Sequence, residues 1–127
     1  MIKKFWNSYW PGLLWTMAIF ILLILPGNSF PQSNWYEVIH LDKWIHIFLF
    51  SFFIILWSGV FSRLPAAEQK GKLIKLLLAG ILFGIMMEFI QLFWVKGRSF
   101  EIPDILADGA GCFIGMFYKR LQIKKPR

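Results

Sequence analysis

Asp42 and His46 stand four residues apart, Glu88 and Gln91 three apart, and Asp104 and Asp108 four apart. Each spacing puts its two side chains on one face of a helix. An imidazole near carboxylates is a general acid–base set, which makes His46, Glu88 and Asp108 the candidate catalytic residues. His46, Glu88, Asp104 and Asp108 are also a donor set for a divalent metal, the alternative chemistry. Lys43, Arg98 and the helix start near Pro103 suit a phosphate or carboxylate. Ser99 is the candidate nucleophile, although a loop Ser after Arg more often leads into a helix. The expected ligand-binding set is therefore Asp42, Lys43, His46, Glu88, Gln91, Arg98, Ser99, Asp104 and Asp108. These residues permit chemistry without requiring turnover, so enzyme status stays open.

What must position them is apolar sequence. The chain has 127 residues, 57% hydrophobic, with mean hydropathy +0.58. That is too apolar for an ordinary soluble domain, and 14 Phe with 7 Trp favour a membrane interior and its interfaces. The length allows one domain, 1–127. Apolar segments at about 9–25, 44–61, 73–95 and 103–118 approach the ~20 residues of a spanning helix. Pro11 opens the first and Pro26 follows it, both tolerated positions. The fourth is short and carries two Asp, so it spans only by packing against other helices. The start, MIKKFW, resembles a signal peptide, but no small-x-small site follows and an uncleaved first span is expected. The fold class is an all-α, four-transmembrane-helix bundle.

The formal charge is +7 and the pI about 9.8. No nucleic-acid partner is expected, because the basic residues flank apolar runs and no nucleic-acid motif is present. Of the 14 Lys and Arg, Lys43, Lys96 and Arg98 fall on one side of the four segments and the rest on the other. The positive-inside rule puts both termini in the cytoplasm. The connection after Pro26 reads as a turn-rich outer loop with Trp35 and Tyr36 as interface anchors, and His40 as a solvated boundary residue. The basic tail after Lys119 is a topology determinant. Cys112, the single cysteine, is a packing residue.

Depth then orders the polar groups: all fall on the outer half. Gly80, Gly84, Glu88 and Gln91 form one stripe on the third segment, and Asp104, Asp108, Gly111 and Gly115 another on the fourth. Antiparallel packing about the short loop sets Gly80 near Gly115, Gly84 near Gly111, Glu88 near Asp108 and Gln91 near Asp104. Glycine lets backbones approach and lowers helix propensity by about 1 kcal/mol, so helix packing is its expected role. Charge in hydrocarbon costs about 2.5 to 3.5 kcal/mol at the centre, so Glu88 and Asp108 must be paired, hydrated or protonated. Arg98 is expected to roof the resulting pocket.

The stretch LDKWIHIFLF, followed by GIMMEFIQLFWVKGRSFEIPDILADGAGCFIG, resembles the VanZ-like family of small bacterial membrane proteins. The family pattern is D-K-x-x-H, Glu-x-x-Q, G-R-x-F and D-x-x-x-N/D-x-x-G. Here these are Asp42, Lys43, His46, Glu88, Gln91, Gly97, Arg98, Phe100, Asp104, Asp108 and Gly111. Asp108 stands where many members carry Asn, which adds a carboxylate. The family's namesake confers low-level teicoplanin resistance, so the resemblance implies a cell-envelope role in a bacterial plasma membrane, with a multi-pass chain. Its partners would be membrane lipids and a lipid-linked or glycopeptide-related envelope molecule. The leading reading is an outward-facing site that binds or modifies such a molecule. The alternatives are a polar lock that fixes helix order, and a proton- or ion-coupled transporter. The last is disfavoured by the Gly, Leu and Ile content of the inner halves.

Overall fold

The computed structural model describes residues 2–25, 41–97 and 99–124. Among these the chain is helical and has no strand. Helix α1 (Ile2–Trp6) leads into α2 (Trp10–Ile24). Helix α3 (Leu41–Ser58) ends in one 3-10 turn (Gly59–Phe61), and α4 (Ala66–Trp94) and α5 (Ile102–Lys124) follow.

The helix boundaries have local causes. Pro11 lies in the first turn of α2, where a missing N–H costs nothing. Pro65 caps α4 with extended backbone, and the Gln69 side-chain amide donates to the Ser62 and Leu64 carbonyls at 3.1 and 2.6 Å. This start takes α4 back to Ala66, well before the apolar run at Leu73, because Ala66 to Lys70 are good helix formers apart from their polarity. Likewise α5 carries the basic tail on as helix to Lys124. The short α1 was not anticipated. Its corner sits on the end of α3, where any side chain at Gly59 would collide with the Trp6 carbonyl.

The core is apolar and draws on every long helix. Ile19 and Leu23 of α2 meet Leu49, Phe50, Phe53 and Ile54 of α3, with Leu73, Leu77 and Met87 of α4 and Cys112 of α5. The outer faces are apolar too. On α4, Leu78, Leu82, Met86, Phe89 and Phe93 are all exposed at helical spacing, opposite the inward stripe. Large exposed apolar faces of this kind fit lipid better than water. Two helices, α3 with its 3-10 turn (Leu41–Phe61) and α4, are long and apolar enough to cross a membrane, and α2 is a shorter apolar helix. Asp104, Asp108, Lys119 and Arg120 make α5 less apolar than these.

Helix α5 packs chiefly against α3 and less against α4. This differs from the glycine pairing expected from the two stripes. A Cβ at Gly115 would lie 2.5 Å from the Ser51 carbonyl, and one at Gly111 would overlap the Ile47 carbonyl. Both glycines therefore seat α5 on the α3 backbone. On α4, Gly84 instead faces the Asp108 side chain and Gly80 faces Cys112. The α4–α5 register is thus about one turn from the expected one. Ser51 closes the α3–α5 seam by donating to the Gly111 carbonyl at 3.0 Å.

Candidate functional site

Three helix ends converge on the polar residues. The first turns of α3 bring Asp42, Lys43 and His46, the first turns of α5 bring Asp104 and Asp108, and the later turns of α4 bring Glu88. The close α3–α5 contact at Gly111 sets the separation of their N-terminal turns. The α4–α5 loop is held by Gly97 at φ 75, in the left-handed region where a side chain is strained. Phe100 then packs on Phe89 with ring centroids 5.0 Å apart. That contact delivers Glu101 to the cluster.

The cluster has two layers. Nearer the helix ends, Lys43 Nζ sits among three carboxylates: Asp42 Oδ2 at 2.6 Å, Asp104 Oδ1 at 2.5 Å and Glu101 Oε2 at 3.2 Å. Lys43 and Asp42 are part-buried and Glu101 is exposed. Deeper in, His46, Glu88, Asp104 and Asp108 are buried, Glu88 completely. His46 Nδ1 lies 2.6 Å from Asp108 Oδ1, and its Nε2 lies 3.9 Å from Asp104 Oδ2. Glu88 Oε2 accepts the Glu101 backbone N–H at 3.1 Å. Glu88 Oε1 and Asp108 Oδ2 are buried with no hydrogen-bond partner among the described residues. Asp104 Oδ1 also lacks hydrogen-bond geometry, but its ion pair with Lys43 compensates it. A buried oxygen left without a partner costs about 1 to 3 kcal/mol.

Chemically, an ionised Asp108 accepts the Nδ1 proton of His46, and the ring then stands with Nε2 toward Asp104. A neutral imidazole held this way presents its Nε2 lone pair as a base or a ligand. His46, Glu88 and Asp104 each offer one ligand atom, and the three atoms lie within 4.8 Å of one another. Asp42, Glu101 and Asp104 form a second such trio.

A family model described as VanZ/LLP1 matches residues 3–122. The chain belongs to the VanZ/LLP1 family. No curated protein and no solved structure matches it. The VanZ/LLP1 match includes α1 and α2, which the motif resemblance over Leu41 to Gly115 left out, and it takes in every residue of the cluster.

Within this VanZ/LLP1 chain the residues expected at the site divide. Asp42, Lys43, His46, Glu88, Asp104 and Asp108 come together. Gln91 does not join them. It is buried, but its Nε2 donates to the Leu23 carbonyl at 2.8 Å, satisfying one of the orphan carbonyls in the last turn of α2. Gln91 is therefore not the neighbour of Asp104 that the stripe predicted. Ser99 is exposed and makes no hydrogen bond to the cluster among the described residues. Arg98, His40 and the outer loop with Trp35 and Tyr36 lie outside the described residues, as do Lys125 and Arg127 of the tail.

Glu101 is the residue of the cluster that the sequence reading missed. Its side chain pairs with Lys43 and its N–H holds Glu88. The available signal was its place three residues before Asp104, at the start of a helix, where acids complement the dipole.

Proposed function

We propose that this VanZ/LLP1 protein is a four-span protein of the bacterial plasma membrane with both termini in the cytoplasm. Its polar cluster opens toward the outer face and binds, or acts on, an envelope lipid or a lipid-linked peptidoglycan precursor. The observation that carries this reading is the incomplete pairing of the buried groups. Glu88 Oε1 and Asp108 Oδ2 have no partner among the described residues, although both residues are at most 1% exposed. A lock that served only to fix helix order would satisfy its buried oxygens. Here the true locks are elsewhere, in Gln91 with Leu23 and Ser51 with Gly111.

The inward faces toward the other end argue against a conducting path. They are lined chiefly by Leu73, Leu77, Gly80 and Cys112, and the buried hydroxyls there, Ser51 and Ser58, are committed to the Gly111 and Ile55 carbonyls. Teicoplanin resistance, which the family's namesake confers, belongs to the same reading.

The test is direct. Purified wild type is assayed for retention of a polyprenyl-phosphate-linked precursor and of anionic phospholipid, beside Glu88→Gln and His46→Ala. Loss of binding in both variants, with helicity and monodispersity in detergent kept, supports the site. Loss of folded protein in both supports the polar lock. Expression in a susceptible bacterium, with the teicoplanin inhibitory concentration as readout, checks the resistance role.

A further inference from the structure

We propose that His46, Glu88 and Asp104 hold one divalent cation, with Asp108 as a positioning residue behind the imidazole. The inference deepens the reading above and rests on it in one respect: the cluster is taken as a ligand site rather than a lock.

The two trios of potential ligands separate cleanly. Asp42, Glu101 and Asp104 surround the Lys43 ammonium, which already occupies the position a cation would take. The deeper trio has no such occupant among the described residues. Its groups are His46 at 3% exposure, Glu88 at 0% and Asp104 at 4%. Each contributes one free atom once its other bonds are assigned. Glu88 uses Oε2 for the Glu101 N–H, which leaves Oε1 unpartnered and fully buried. Asp104 gives Oδ1 to Lys43, which leaves Oδ2 on the side of His46 Nε2. His46 commits Nδ1 to Asp108, which leaves Nε2.

That last arrangement is what a metal-binding histidine requires. The nitrogen away from the metal donates to a carboxylate, which sets the tautomer and orients the ring. Asp108 thereby acts through His46 and is not itself a ligand. Metal bonds of ~2.0–2.2 Å place neighbouring donors roughly 3.3–3.6 Å apart. One ligand atom from each of the three residues lies within 4.8 Å of the others, and His46 Nε2 stands 3.9 Å from Asp104 Oδ2, so side-chain rotation is what closes the trio to that value. One imidazole with two carboxylates suits Zn2+ or Mn2+. The two carboxylate charges balance the dication, and three protein ligands leave a position open to water or to an oxygen of a phosphate.

The experiment uses the full chain in detergent, stripped with chelator and titrated with Zn2+ and separately with Mn2+. Metal content after desalting and the Mn2+ paramagnetic resonance signal are read. The expected result is one saturable dication per chain. Affinity falls at least tenfold in Glu88→Gln and in Asp104→Asn, about 10- to 100-fold in Asp108→Ala, and stays within twofold in Glu68→Gln, an exposed acid at the far end of α4. Circular dichroism and thermal melting show that each variant is folded, and His46→Gln is read beside any that is not. Absence of saturable uptake by folded wild type overturns the proposal, as does uptake unchanged in folded Glu88→Gln. Uptake as expected without any phospholipid or precursor retention sustains the metal and overturns the envelope-ligand reading. Retention by protein that takes up no dication does the reverse.

Discussion

His46 Nδ1 lies 2.6 Å from Asp108 Oδ1, across the seam between α3 and α5, with both side chains buried. The contact joins residues far apart in the chain and sets the imidazole in one orientation. Asp108→Ala removes the acceptor and strands a buried ring N–H, which costs about 1 to 3 kcal/mol. Asp108→Asn keeps an acceptor oxygen and should cost less than half as much. Thermal melts of the two variants in one detergent decide this, and equal losses would sink the hydrogen-bond assignment.

The glycines divide by what lies opposite them. Gly111→Ala and Gly115→Ala drive a methyl into α3 backbone, which has little room to move. Each should lose about 1 to 3 kcal/mol. Gly109→Ala meets nothing within 4 Å, so helix propensity alone acts and stability rises by about 0.5 to 1 kcal/mol. Denaturation of the three variants in a common micelle shows whether the signs differ as expected.

Gln91 serves the backbone of α2. Gln91→Leu keeps the volume and strands the Leu23 carbonyl, and Gln91→Glu makes the contact depend on whether the carboxyl is protonated. Stability should fall by about 1 to 2 kcal/mol for Leu, and for Glu the loss should grow with pH, because the protonated carboxyl can donate to the carbonyl and the carboxylate cannot. Unchanged stability in Gln91→Leu contradicts the hydrogen bond.

The proposed topology puts Ser99 and Glu68 on opposite sides of the membrane. With Cys112 buried, single substitutions Ser99→Cys and Glu68→Cys can be probed by an impermeant maleimide. Ser99→Cys should label in intact cells, and Glu68→Cys only after permeabilisation. The reverse pattern, or labelling of both from outside, excludes the four-span arrangement with cytoplasmic termini.

What the sequence determined on its own is the helical class, the apolar character and the family. Periodicity and apolar run length are local properties, legible without partners, and D-K-x-x-H with Glu-x-x-Q marked the family. The same periodicity put Glu88, Asp104 and Asp108 on inward faces, because charged groups avoid lipid. Only the tertiary structure decided which helix each face meets. A stripe of Gly111 and Gly115 announces close approach, yet it fits the α3 backbone as well as α4, and the α3 carbonyls of Ile47 and Ser51 are the ones it found. Gln91 reached a main-chain carbonyl on α2, a partner with no sequence signal because every residue carries one. Glu101 joined the site through its own N–H and a contact with Lys43, which depend on how the turn at Gly97 aims the loop. Spacing specifies a face, and packing specifies its neighbour.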